Sequence, residues 1–211
     1  EFCSLRPYAY HLTSQSNLPR IARQMCLHSA LLWLERGGRR ELVREKRNEH
    51  LMLAVDGEEI VLRDQAPLYE GKMRLDGGYT FGDFVECLNS RVFFWPGTSD
   101  GPNDYGKRHF ARYSAENPLI IRVPTIDLVS TKDDVLPLFC RYNSGSPRPS
   151  NGVHPPRGPK TFVSAAEADF RTTMVVEITF ENSAKLPTTV QVTDLASWSW
   201  RGIDCLDTFG S

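Results

Sequence analysis

The sequence has no long apolar run. Nothing in it approaches the roughly 18 consecutive apolar residues of a membrane-crossing helix, so a helical span is excluded. It also lacks a strong charge of either sign. The net charge is −1, so no global field gathers nucleic acid or an anionic membrane, and such a partner must be held by a local patch. Cysteine is sparse and unpatterned. Cys3, Cys26, Cys87, Cys140 and Cys205 form no C-x-x-C pair, and an odd, scattered set is neither a disulfide framework nor a zinc site. No metal is therefore expected. With no charged-then-apolar leader at the start, a reducing cytoplasm is the expected setting. "GGYTFG" and "GTSDG" match no Walker or Rossmann glycine pattern. There is no G-x-S-x-G elbow, although composition leaves a Ser–His–Asp arrangement open. No repeat is visible.

What is present is ordinary for a soluble globular chain: 211 residues, 40% hydrophobic, 24% charged and 10% aromatic. "YAYHLT" (8–13) reads as a first strand. Asn17 is a helix cap and Pro19 suits a first turn, which predicts a helix to about Met25. A second helix is predicted from Ser29, carrying Leu31, Leu32 and Leu34. Residues 35–50 mix both charge signs and read as a solvated, net basic helix. An extended piece over 58–68 turns at Pro67. Thr80 caps a helix with Phe81, Phe84, Val85 and Leu88 at helical spacing. Strands are predicted over 91–96, 118–129, 174–180 and 188–195, and a helix weakened by Gly106 over 103–116. Residues 141–162 are rich in proline, glycine and serine, and a loop that long is functional or disordered. "SWSWRG" (197–202) reads as a terminal flap. Helices gather early and strands late, which predicts one α+β domain over 1–211.

Two residues stand out. Glu177 interrupts "VVEITF", an otherwise apolar strand. It points outward on the alternate face or sits at the mouth of a cleft. His11 and Thr13 end the first strand, as a buried structural histidine or as a clamp for a ligand of hydroxyls and amides.

Taken together, these stretches form a pattern. "YHLTSQSNLPRI" resembles the opening of DarT-type DNA ADP-ribosyltransferases, where a strand ending in H-x-T leads into an N-L helix. "VVEITFENSAKLP" resembles the strand of that family that bears the catalytic glutamate. "RDQAPL", "LNSRVFFWP", "NSGSP" and "RGPKTF" resemble a group of uncharacterised bacterial domains with the same strand-glutamate ending. The resemblance covers about residues 8–187. The chain departs from the pattern at Cys26, where the family has a glycine able to close the first helix in the left-handed region.

The resemblance implies an ADP-ribosyltransferase-like domain: a split, strongly twisted antiparallel β-core with flanking helices. It implies NAD as ADP-ribose donor, with no metal. The acceptor would be a nucleic acid, DNA or RNA. Protein modification, NAD glycohydrolysis and a non-catalytic nucleotide-binding module are the alternatives. Such proteins act as toxins or in phage defence, with a neutralising antitoxin and no membrane. Glu177 and His11 would be the catalytic residues. His11 would meet a ribose hydroxyl, the Leu12 backbone the nicotinamide amide, and Thr13 and Asn17 the adenosine side. Glu177 would bond the ribose 2′-hydroxyl and stabilise the developing cation. Arg91 is the first choice for the pyrophosphate, in competition with Arg63 and the 39–47 stretch. Phe93, Phe94 and Tyr105 compete for the nicotinamide floor. Tyr142, Asn143, Ser144, Arg157 and Lys160 would form a substrate loop, with Tyr142 and Phe162 stacking on a base. A mobile surface loop is the plainer reading.

Overall fold

The computed structural model describes residues 1–130, 135–149, 152, 154–195 and 197–203. A short helix, α1 (Phe2–Leu5), precedes β1 (Tyr8–Thr13). A 3-10 turn leads into α2 (Leu18–Gln24), where Pro19 lies in the first turn and its missing N–H is not needed. The cap expected of Asn17 is not made, because its side chain is engaged elsewhere. Met25, at φ 45°, closes α2 in the left-handed region. Cys26 instead opens β2 (Cys26–His28). Ser29 caps α3 (Ala30–Arg36) by accepting the Leu32 N–H at 3.3 Å.

The solvated helix expected over 35–50 does not form. Gly37 and Gly38 end α3, and only a 3-10 turn (Arg40–Arg44) follows. Its cations are mostly engaged: Arg44 pairs with Asp83 at 2.5 Å, and Arg47 donates to Asn89 at 2.7 Å. β3 (Leu51–Val55) and β4 (Glu58–Leu62) form a hairpin. Its turn is Asp56-Gly57, both with positive φ, as a tight two-residue connection requires.

Thr80 and Asp83 close a reciprocal capping box on α4 (Phe81–Asn89). β5 (Arg91–Thr98), β6 (Gly101–Pro102) and α5 (Asp104–Arg112) follow, α5 capped by Asn103. Gly106 does not weaken α5 so much as permit its packing, since a Cβ there would lie 2.6 Å from Pro102 and 2.8 Å from Trp95. The strand expected over 118–129 stops at Pro124. β7 is Leu119–Pro124, and Thr125–Val129 forms α6. β8 (Leu138–Cys140), β9 (Glu177–Glu181), β10 (Ser183–Lys185), β11 (Gln191–Asp194) and β12 (Arg201–Gly202) complete the described elements. The strand expected over 174–180 begins later: Met174 ends a 3-10 turn (Thr172–Met174), and Glu177 is the first residue of β9.

The main sheet has eight strands in the order β12-β11-β7-β1-β5-β9-β8, with β6 on β5. Its strand pairs are antiparallel. The fold is thus mixed α/β with a mostly antiparallel sheet. The strands are drawn from the whole chain, not from its later part as expected, because β1, β5 and β7 form the centre. Both faces of that centre are buried. Ala9, Phe94, Ile121 and Ile178 pack on one face, and Tyr10, Trp95 and Ile120 with Phe110 of α5 on the other. A separate apolar cluster joins α3 to the β3–β4 hairpin through Trp33, Leu34, Leu53 and Ile60.

Gly97 marks the tightest backbone approach. A Cβ there would sit 2.1 Å from the Gly101 carbonyl oxygen, whereas at Gly145 nothing lies closer than 3.9 Å. Gly97→Ala is expected to destabilise the protein by about 3 kcal/mol in urea unfolding. Gly145→Ala should change stability by no more than about 0.5 kcal/mol.

Candidate active site

The central sheet opens at one point. β1 pairs with β5 from Tyr8↔Gly97 to Tyr10↔Trp95, and no further. Beyond it, β1 continues along β7 through Thr13↔Leu119, while β5 continues along β9 from Phe94↔Ile178 to Arg91↔Glu181. A cavity of about 300 Å³ lies where the two strands part, lined by His11, Thr13, Phe93 and Glu177 among others.

His11 sits at the fork. Its Nδ1 donates to the Phe93 carbonyl at 2.9 Å, because a carbonyl can only accept. The ring therefore offers Nε2 as an acceptor. Burial first, and then the Arg63 charge, push its pKa down to about 4, so the imidazole is neutral near pH 7. His109 of α5 is held down to about 4 as well, mainly by burial.

Glu177 is 2% exposed and lines the cavity. Its Oε1 accepts the Ser144 N–H at 3.2 Å, while Oε2 has no partner. Burial raises its pKa to about 7 against the opposing Ser144 hydrogen bonds and the Arg157 charge. The outward reading of Glu177 is thereby replaced by the cleft reading. A buried carboxylate oxygen without a donor is costly in isolation and suits a site awaiting a polar ligand.

Four arginines line the cavity, and one of them, Arg20, is spent on Glu58, Asp56 and the Val55 carbonyl. Arg63 donates to Glu116 at 2.6 Å and to the Thr13 carbonyl at 3.1 Å, and stacks on Tyr113. Arg47 donates to the Arg63 carbonyl and to Asn89, and burial lowers its pKa to about 10. Arg91 lies over the Phe162 ring at 4.5 Å, yet its Nε and Nη1 are buried without a hydrogen-bond partner. Of the competing arginines, Arg91 keeps the most donor capacity for a ligand.

The residues singled out in the sequence divide into three groups. His11, Leu12, Thr13, Arg91, Asn143, Ser144 and Glu177 come together around the cavity. Asn17 also lines it, but its amide is spent. Nδ2 donates to the Val61 carbonyl and to Thr13 Oγ1, and Oδ1 accepts the Val61 N–H at 2.9 Å, so Asn17 pins the hairpin to α2. The rest lie elsewhere. Phe94 is wholly buried against Phe180, because strand alternation gives the cavity to Phe93. Tyr105 lines a separate cavity, with Arg108 stacked on its ring at 4.8 Å. Tyr142 and Phe162 are buried, and the Tyr142 hydroxyl donates to the Pro156 carbonyl at 2.6 Å, so neither ring is free to stack on a base. Arg157 is buried too, and Lys160 is exposed outside the cavity.

Sequence reasoning missed Trp33, Trp95, His109 and Tyr113, which give the cavity aromatic walls. His109 and Tyr113 are four residues apart on and just beyond α5, a spacing that puts both on one face. Among the described residues, no cluster of three or more His, Cys, Asp or Glu is placed to hold a metal ion. No helix there is long and apolar enough to cross a membrane.

The chain belongs to a family of unknown function, DUF7002, whose match runs over residues 7–191 and so contains both His11 and Glu177. Neither the curated proteins nor the solved structures yield a match.

Glu177 has a consequence for stability. In the folded chain it keeps its proton up to about 7, whereas its ordinary value is 4.5. Its contribution is therefore undiminished below about 4.5 and is lost as pH rises through 7, because the unfolded state ionises first. Glu177→Gln is expected to exceed wild type in stability by about 3 kcal/mol above pH 7, with the gap closing at pH 4. Denaturant unfolding of both proteins across pH 4–8.5 measures the difference.

Proposed function

We propose that the protein is an NAD-dependent mono-ADP-ribosyltransferase acting on a nucleic acid. The observation that carries this reading is the buried Glu177, whose Oε2 has no partner, lining the same cavity as the neutral His11 at the parting of β1 and β5. A split antiparallel core with an imidazole on one lip and a carboxylate on the other is what the DarT-type resemblance leads one to expect.

The chemistry asks little covalent work of the protein. The bond between nicotinamide and ribose breaks, and nicotinamide leaves with the electron pair. The acceptor nucleophile then bonds the ribose carbon and loses a proton. Nε2 of His11 accepts a ribose hydroxyl. Glu177, as the carboxylate, accepts the 2′-hydroxyl and opposes the charge that develops on the ribose. Nicotinamide in NAD is cationic, so its binding favours the ionised form of Glu177. The aromatic walls suit flat rings, and Arg91 suits phosphate. The nucleic-acid acceptor rests on the resemblance and on Arg141, Arg148 and Lys160, which are exposed on the loop that carries Asn143 and Ser144.

The test is nicotinamide release from NAD by the purified protein, with and without mixed single-stranded DNA and RNA oligonucleotides. Release should rise with one nucleic acid, and the gain should fade with salt. It should also grow as pH passes about 7, where Glu177 ionises. Glu177→Ala is expected to lower it by about three orders of magnitude or more. Equal release without any acceptor indicates a glycohydrolase. Release that survives in Glu177→Ala removes the catalytic role from that residue.

Arg91 provides a separate check. Its unpartnered nitrogens give the fold little, so Arg91→Met should unfold at the same denaturant concentration as wild type or a higher one. It should weaken NAD binding about tenfold or more in calorimetry. Unchanged affinity removes Arg91 from the phosphate site.

A further inference from the structure

Arg157 is 2% exposed and, among the described residues, makes no ion pair. Its guanidinium is instead spent on backbone. Nε donates to the Ser144 carbonyl at 3.3 Å, Nη2 to Asn143 at 3.1 Å and Ser146 at 2.6 Å, and Nη1 to Pro155. The flat group also lies 4.3 Å over the Tyr142 ring. Four carbonyls from two stretches of one loop thus converge on a single buried cation. A buried charge is expensive unless its donors are met, so this loop has a strong reason to wrap around Arg157. The residue is itself anchored: its N–H donates to the Arg74 carbonyl, and its carbonyl accepts the Asp76 N–H, each at 2.8 Å. This is the loop whose Ser144 N–H reaches Glu177.

We propose that Arg157 is a positioning residue for Glu177. It folds residues 143–146 so that the Ser144 N–H holds Oε1 and leaves Oε2 without a partner. The substrate-contact role expected of Arg157 from its sequence is thereby replaced by one exerted through the loop. This proposal rests on the reading of Glu177 as the carboxylate of the site, but its first test does not require NAD. The ionisable groups around Glu177 are Cys140 of β8 and Tyr142 and Arg157 of the loop, with His11, His109 and Asp64 also lining the cavity beside its four arginines. Burial holds Cys140 and Tyr142 in their protonated forms, and both histidines are neutral near pH 7.

An amide hydrogen-bonded to a carboxylate moves downfield as that carboxylate ionises. In 15N-labelled full-length protein, the Ser144 amide proton should therefore titrate with Glu177, and Glu177→Gln should abolish the movement. Arg157→Met is expected to lose it while the β1 and β7 amides keep their shifts. A Ser144 amide that titrates in Arg157→Met as it does in wild type overturns the proposal. Should Arg157→Met fail to fold, Arg157→Lys decides, since it keeps the charge with at most three donors. A reduced amplitude there supports the proposal, and full amplitude overturns it. The second readout is kinetic. Nicotinamide release by a folded Arg157→Met should show kcat down about a hundredfold, with KM within about threefold of wild type. An unchanged kcat counts against the positioning role. If wild type releases no nicotinamide, the proposed function fails, and the amide titration still decides on Arg157.

Discussion

Much of the molecule depends on a single pairing that stops. β1 and β5 share three residue pairs and then take different partners. Continued pairing would have filled the sheet and left no cavity. The interruption exposes backbone polar groups in an otherwise buried layer, which is costly unless something receives them. The His11 ring receives one by donating to Phe93. Thr13 offers its carbonyl to Arg63, which crosses from the far end of the hairpin. The fork is therefore held open by side chains that take the place of missing sheet hydrogen bonds, and these side chains also define the cavity.

Desolvation governs the electrostatics of that cavity. It outweighs every charge partner of His11, His109 and Glu177, and in each case it favours the neutral form. The result is a site that is nearly uncharged at His11, His109 and Glu177 and cationic where Arg20, Arg47, Arg63 and Arg91 line it. A ligand with a hydroxylated, weakly polar part and an anionic part matches that division. A wholly anionic ligand would meet the unfavourable wall at Glu177 once it ionises.

Local chemistry made much of the fold legible. Ser29, Thr80 and Asn103 mark helix starts by capping, whereas the end of β7 at Pro124 was not legible, because 118–129 reads as one bent strand. His11 and Glu177 were visible as polar residues in strand-like runs. What stayed hidden depends on distant partners. Asn17 looked like a cap, but Val61, far along the chain, takes its amide. The charged run after Arg36 looked helical, but two glycines and the acidic side chains of α4 redirect it. The choice of Phe93 over Phe94 turns on strand register, which a one-residue shift inverts. Arg157 sits in a segment whose composition suggests a mobile surface, and only the convergence of four carbonyls reveals an internal scaffold.

Among the described residues, the β3–β4 hairpin makes no hydrogen-bonded ladder with the main sheet. It shares an apolar cluster with α3 and reaches the remainder through polar side chains, among them Asn17, Arg20, which is bound to Asp56, Glu58 and the Val55 carbonyl, and Arg63 at its end. One wall of the cavity is thus a small capping unit with its own interior, fastened by a few polar clasps. Such a unit can change its sequence away from these clasps without disturbing the strands that carry His11 and Glu177. Within a family that keeps this arrangement, the hairpin is where ligand preference can diverge while the reacting groups stay fixed.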